Sequence, residues 1–70
     1  MDDQEFLHKL SVETNVNIEL LKYLLNDEKF LALIKAGKSI DATIRFRSIQ
    51  PRVGLMEAKM IVEAFLAKPK

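Results

Sequence analysis

Glycine and proline, the residues that most often interrupt regular structure, occur only twice each in this 70-residue chain. Between them, leucine, isoleucine and phenylalanine recur at spacings of three and four residues. Such spacing with few turn signals is typical of helices and disfavours strand-and-turn architectures. A chain this short supports one hydrophobic core. The sequence therefore predicts a single all-α domain, a small bundle of four to five short helices with a C-terminal helix-turn-helix.

The first half of the chain predicts two helices joined by a polar segment. Apolar residues at adjacent helical positions place the first helix at about residues 3–10. Residues 11–17 are mostly polar and are predicted to form a turn. Asn17 is a suitable N-cap for a second helix from Ile18 to Leu25, whose broad apolar stripe indicates burial on more than one side.

Three further helices are predicted after residue 26. Asp27 begins an acidic first turn that favours the third helix, and Gly37 is a natural left-handed stop for it. Ser39 is predicted to cap a fourth helix over residues 40–49, which ends before a proline. The last helix begins near Gly54.

The last two helices each have two apolar faces. On the fourth helix Ile40 and Ile44 lie on the face opposite the predicted core, close to Arg47. On the last helix Met56 and Met60 fall opposite the core stripe. Methionine fills loosely packed helical cores and also suits adaptable binding surfaces, so both interpretations stay open. The predicted core stripe of the last helix consists of Leu55, Ala58, Ile61, Val62, Phe65 and Leu66.

Charge is distributed unevenly along the chain. Residues 1–28 carry seven acidic side chains against two basic ones, and the remainder carries nine basic side chains against three acidic ones. This asymmetry either steers an acidic partner to one face or draws the two halves together, within one fold or between two copies. We therefore divide the domain into an acidic helical support (1–38), a basic helix pair (39–67) and a tail (68–70), and a homodimer stays open.

A resemblance to a known family lies in residues 40–63, about a third of the chain. The stretch Arg52-Val-Gly-Leu-Met-Glu-Ala-Lys59, with Val62-Glu63 after it, is similar to the Gly-Leu-Gly-Leu-Lys-Glu-Ala-Lys and Val-Glu of the bacterial ribosomal stalk protein's C-terminal domain. That family recruits translational GTPases to the ribosome. The resemblance implies a binding surface that contains Ile44, Arg45, Glu57 and Lys59.

The sequence departs from the stalk pattern at several positions. Arg52 replaces the first glycine of the turn, Met56 replaces a lysine, and Ser48 stands at the position of a binding arginine. The first 38 residues show none of the family's strand pattern. A similar helix, glycine turn and helix occurs at the start of elongation factor Ts, and on that interpretation Gly54 marks a close approach of two helix ends.

These observations predict a protein-interaction module whose leading partner is a translational GTPase or a ribosome-associated protein. In that mechanism the isoleucines are the apolar anchor, and the basic residues steer the module toward an acidic surface. The predicted partner-binding residues are Ile40, Ile44, Arg45, Met56, Glu57, Lys59 and Met60.

The alternative function is a helix-turn-helix protein that binds DNA or RNA polymerase. Residues 10–26 resemble such a motif, with a turn at Asn15 and with Asn17, Glu19 and Lys22 where base edges are read. The acidic character of this half disfavours it, because neutralising phosphates supplies most non-specific DNA affinity.

Enzymatic function is not expected. His8 is the only histidine, cysteine is absent, and the two glycines are isolated, so metal, thiol and phosphate-loop chemistry lack their residues. We expect no catalytic residue, no metal and no cofactor. The acidic N-terminus and the lack of a long apolar run predict no signal peptide and no membrane span, and therefore a cytoplasmic protein.

Overall fold

A computed structural model describes residues 3–68, and none of these lies in a strand. The small all-α bundle predicted from the sequence is confirmed. The last two helices form the predicted helix-turn-helix. The five helices are α1 (Asp3–Thr14), α2 (Ile18–Leu25), α3 (Glu28–Lys35), α4 (Ser39–Ile49) and α5 (Leu55–Ala67).

Four phenylalanine rings join four of the helices in the core. Phe65 of α5 meets Phe6 of α1 and Phe30 of α3 edge to face, each with ring centroids 5.3 Å apart. Phe30 also contacts Phe46 of α4, at 6.4 Å. Edge-to-face pairs add roughly 0.5–1.5 kcal/mol beyond the burial of their area. Helix α5 is therefore the element around which α1, α3 and α4 assemble.

Helix α1 is longer than predicted. It continues through residues 11–14, which were assigned to a polar turn, and ends at Thr14. Leu10 and Thr14 are both buried, one turn apart on the core side, and the Thr14 hydroxyl donates a 2.7 Å hydrogen bond to the Leu10 carbonyl. Burial of an apolar face thus continues the helix across residues whose polarity suggested a turn.

The connection between α1 and α2 is a tight turn of three residues. Asn15 has a φ of 57°, in the left-handed region that asparagine tolerates better than most residues. The Asn17 carboxamide oxygen accepts a 2.8 Å hydrogen bond from the Glu19 backbone N–H. The predicted turn at Asn15, the Asn17 cap and the bounds of α2 are all confirmed.

The beginning of α4 differs from the sequence prediction. Gly37 has a φ of 74° and ends α3 as predicted. The N-cap of α4 is Lys38, without a side-chain hydrogen bond, and Ser39 is already helical. The prediction that Ser39 caps α4 is therefore wrong by one residue. The Ser39 carbonyl instead accepts a 2.9 Å hydrogen bond from the Thr43 hydroxyl.

Gly54 is the N-cap of α5, at the predicted start of that helix. Its φ of −66° is open to any residue. The three atoms nearest to a Cβ on Gly54 all belong to the Glu57 carboxylate, so no atom of another helix comes closer than 3.7 Å. The interpretation that this glycine marks a close approach of two helix ends is therefore wrong.

The end of α5 is held against α1. The Lys68 ammonium forms an ion pair with Asp3 and lies 5.3 Å from the centroid of the Phe6 ring. Lys68 is thus attached to the bundle, although the sequence placed it in a tail. Residues 1–2 and 69–70, which include the rest of that tail and the start of the acidic N-terminus, lie outside the described residues.

Candidate protein-interaction surface

The two flanks of helix α4 carry different side chains. Ile40 and Ile44, one turn apart, leave 75% and 62% of their surface exposed. Arg45 points about 100° away from Ile44, toward α3. Between the two flanks, Ala42 and Phe46 are fully buried. The helix thus buries its inner face, contacts α3 on one flank and leaves the isoleucine flank open.

A groove of about 290 Å³ runs between the open flank of α4 and helix α5. Its lining is largely apolar, with Lys59 and Glu63 as the charged side chains. The groove measures close to the lower limit for drug-sized ligands, and it is open rather than enclosed. It suits one or two apolar side chains from a protein segment. Its lining residues are Ser39, Ile40, Thr43, Ile44, Leu55, Lys59, Val62 and Glu63.

Most large apolar side chains that remain exposed lie on the two helices that form this groove, and three of them, Ile40, Ile44 and Leu55, line it. Six of the eight exposed ones in the described part of the chain lie on α4 and α5, and only Val12 and Tyr23 lie elsewhere. A contiguous exposed apolar area flanked by polar residues marks a contact site more often than scattered apolar residues do. The six are Ile40, Ile44, Leu55, Met56, Met60 and Leu66.

The two methionines lie on the outer side of α5. Met56 is 73% exposed and follows Leu55 of the groove wall, and Met60 is exposed one turn further on. The interpretation of these methionines as core filler is therefore wrong. Leu55 and Leu66, which were assigned to the core stripe of α5, are exposed as well. They lie at the edge of the stripe, where the bundle supplies no helix to cover them.

The Arg45 side chain forms its hydrogen bond within the fold. Its Nη2 donates a 2.8 Å hydrogen bond to Asp27 Oδ2, and the Asp27 side chain is 3% exposed. Asp27 Oδ1 accepts a 2.8 Å hydrogen bond from the Phe30 backbone N–H, so this carboxylate also caps α3. Arg45 Nε is buried and has no hydrogen-bond partner among the described residues. The predicted partner-binding arginine thus joins α4 to the beginning of α3.

The environment of Asp27 determines its protonation. Burial alone raises the pKa of this carboxyl group, but the hydrogen bond and the charge of Arg45 lower it, as do the backbone N–H groups of Phe30 and Lys29. The net result is a pKa below the ordinary value for aspartate. Asp27 is therefore ionised at neutral pH in spite of its burial.

Glu57 faces a different part of the surface. Its carboxylate folds back over Gly54, and the residue borders a depression of about 470 Å³ between the two interhelical turns. Asn15 and Arg52 border the same depression. The structure thus separates the predicted partner-binding residues. Ile40, Ile44 and Lys59 line the groove, Met56 and Met60 are exposed on α5 outside its lining, and Arg45 and Glu57 lie elsewhere.

The sequence reasoning missed Asp27 as a buried carboxylate. An aspartate three residues before a buried phenylalanine is an N-cap signal, and it was available in the sequence. Its pairing with Arg45, 18 residues away, has no local signal. Thr43 and Glu63 in the groove wall were also missed, because only the packing of α4 on α5 brings them together.

Polar side chains of the α1–α2 pair form a hydrogen bond and an ion pair within that pair. The Asn17 carboxamide oxygen is used by the helix cap, and Glu19 and Lys22 pair with each other at 3.6 Å. All three residues proposed to read base edges in the alternative function therefore have partners within the motif.

Comparison with models of protein families, with curated protein sequences and with solved structures found no match to the chain. Within residues 3–68, no group of three or more histidine, aspartate or glutamate side chains is placed to hold a metal ion. No helix over these residues has the length and the hydropathy needed to cross a bilayer.

Proposed function

We propose that this chain is a non-enzymatic protein-interaction module that binds a partner through the groove between α4 and α5. The observation that carries the proposal is a largely apolar groove whose wall includes three exposed apolar side chains, Ile40, Ile44 and Leu55, with three more exposed on α5. A domain of about this size has little apolar surface to spare for exposure, because its core supplies only a few kcal/mol of stability. Their exposure therefore supports a role in binding.

The partner that fits this groove presents an apolar side chain flanked by acidic residues. Lys59 lines the groove, and Arg47 is exposed on α4 one turn beyond Thr43 and Ile44. Neither basic side chain forms an ion pair within residues 3–68. Unpaired basic residues beside an apolar anchor steer association with an acidic surface.

Translational GTPases and ribosome-associated proteins are the proposed partner class, with the cytoplasm as the place of action. The support is the resemblance of residues 40–63 to the stalk protein, in which an exposed isoleucine and a lysine form part of the binding surface. The residues that carry this likeness, Ile44 and Lys59, both line the groove. Arg45 and Glu57 lie outside it, so the proposed surface is narrower than the one that the resemblance implies.

The test is the affinity for a purified translational GTPase and for purified ribosomes, measured with wild type, Ile44→Asp and Val12→Asp. Val12 is a matched control, since it is an exposed β-branched residue on α1, away from the groove. We expect Ile44→Asp to weaken binding about tenfold or more, because a charge would replace the apolar anchor. Val12→Asp should bind as wild type does, and circular dichroism should show equal helix content in all three.

Two results would contradict the proposal. Equal affinity of wild type and Ile44→Asp for every protein partner would exclude the groove as the binding site. Binding to duplex DNA with a steep loss of affinity as salt rises, and no binding to either protein probe, would instead favour the helix-turn-helix alternative.

A further inference from the structure

The order of side chains along the outer side of α5 is self-complementary when a second α5 runs antiparallel to it. Met56, Lys59, Glu63 and Leu66 are all exposed and lie within one stripe of the helix surface. Read along the chain, the stripe presents an apolar residue, a cation, an anion and an apolar residue. Read in the opposite direction, it presents an apolar residue, an anion, a cation and an apolar residue. A second α5 that runs antiparallel therefore offers each side chain a suitable counterpart.

Lys59 and Glu63 are available for contacts outside the chain. They lie one turn apart, at a spacing that allows an ion pair within the helix. Within the described part of the chain, neither of them forms one. Both side chains line the groove between α4 and α5.

We propose that a second copy of this chain covers the groove, with the two α5 helices packed antiparallel around a two-fold axis. In this register Lys59 of each copy faces Glu63 of the other, and Met56 of each copy faces Leu66 of the other. The interface is isologous, so every contact forms twice and the assembly closes as a dimer. Ile40 and Ile44 of α4, beside the groove, extend the apolar contact on both sides.

An interface of standard size would take a modest share of the surface. The described chain exposes 4911 Å² in total, so a standard interface of about 800 Å² per partner needs about a sixth of that surface. No other helix pair in the described part of the chain exposes more than one large apolar side chain on each helix.

The dimer would regulate the proposed partner site. A second copy and a partner protein both cover Ile44, so they exclude each other, and the dimer is the resting form that a partner must open. This regulatory consequence rests on the proposed function. The self-complementary stripe does not depend on it.

The test is sedimentation equilibrium from about 5 to about 500 µM, with a charge-exchange series at Lys59 and Glu63. We expect wild type to show a monomer–dimer equilibrium. Lys59→Glu and Glu63→Lys should each weaken it about tenfold or more, because like charges then face each other twice across the axis. The double variant, Lys59→Glu with Glu63→Lys, should restore dimerisation, since exchanged charges pair equally well. Lys9→Glu, at an exposed position of α1, makes the same charge change away from the stripe and should behave as wild type.

A wild type that stays monomeric over the whole range would overturn the proposal. A double variant as weak as the single ones, with unchanged helix content, would overturn the antiparallel register. If wild type stays monomeric and binds a translational GTPase through Ile44, the dimer is contradicted and the proposed function is supported. A dimer that binds neither the GTPase nor ribosomes, even when diluted to monomer, leaves the dimer standing and contradicts the proposed function.

Discussion

Ile44 and Arg45 are neighbours in sequence, yet they lie on different flanks of helix α4, one of them exposed and the other covered. The apolar Ile44 remains 62% exposed beside the groove, whereas the charged Arg45 is largely covered and bonded to the buried Asp27. The usual preference of apolar residues for the interior is thus reversed at this pair. What separates them is the neighbouring element, because Asp27 at the start of α3 offers Arg45 a carboxylate, whereas the described chain leaves most of Ile44 uncovered.

This difference distinguishes two placements of side chains in a small domain, a charged group that is buried and an apolar group that is exposed. A charged group enters the interior where a partner satisfies it, and there it joins elements that are distant in sequence. An apolar side chain stays outside where the fold has no further element to place on it. The first case is explained within the chain, and the second is the one that the proposed partner site would account for. If this separation holds, substitutions on the buried flank of α4 should cost more stability than substitutions on the open flank.

The largest effect is expected for Asp27→Ala. This change removes the cap of α3, worth about 1 kcal/mol, and leaves Arg45 without its partner in a partly buried site. We expect a loss of about 3 kcal/mol in the free energy of unfolding, measured by urea denaturation. A domain of this size has about 3–5 kcal/mol in total, so the variant should be close to unfolding at 25 °C. Asp27→Asn is the matched control, because asparagine keeps the cap and should retain about 1 kcal/mol more stability.

The next prediction compares the two neighbours directly. Arg45→Ala should lower the free energy of unfolding by about 2 kcal/mol, because it leaves the buried carboxylate of Asp27 without its cation. Ile44→Ala should change it by less than about 0.5 kcal/mol, because its side chain contributes little to the core. Urea denaturation of both variants checks the comparison. Equal losses would mean that the two flanks of α4 are equally part of the fold.

The pH dependence of stability should reveal the Asp27 charge. Its pKa is lower in the folded chain than in the unfolded one, so its contribution is complete above the unfolded pKa of about 3.9 and is lost as pH falls through the folded pKa. Urea midpoints from pH 6 down to pH 3 should therefore fall more steeply for wild type than for Asp27→Asn. Parallel curves for the two proteins would show that the ion pair adds nothing to the fold.

The sequence predicted the helices well because their signals are local. Asn17, Gly37 and the spacing of apolar residues each act within one or two turns, and the structure confirms them. The sequence predicted burial less well where burial depends on an element that is distant along the chain. Thr14 is buried although it lies in a polar stretch, and Leu55 is exposed although it continues an apolar stripe. Both outcomes depend on which helix lies opposite, and the spacing of apolar residues within a single helix does not indicate this.

The same distinction applies to the candidate surface. The exposed isoleucines were found from the sequence, because α4 carries apolar residues on two opposite faces and only one can meet the core. Arg45 was assigned to the surface by resemblance, and its commitment to Asp27 required the positions of α3 and α4 relative to each other. The groove itself is formed by two helices, so only its separate walls are present in the sequence.

The smallest effects concern the two glycines at the ends of the α4 region. Gly37 has a φ of 74°, where an added Cβ meets no other atom but the backbone conformation itself is unfavourable for alanine. Gly37→Ala should therefore cost about 1 kcal/mol in the free energy of unfolding. Gly54 has an ordinary φ of −66°, and only the flexible end of the Glu57 side chain lies in the way. Gly54→Ala should change stability by less than about 0.5 kcal/mol, since Glu57 can swing into solvent and the lower entropy of the unfolded chain offsets the loss from alanine at an N-cap. Thermal or urea denaturation of both variants measures the contrast, and a large loss for Gly54→Ala would show that the start of α5 needs a glycine for more than the space that Glu57 takes.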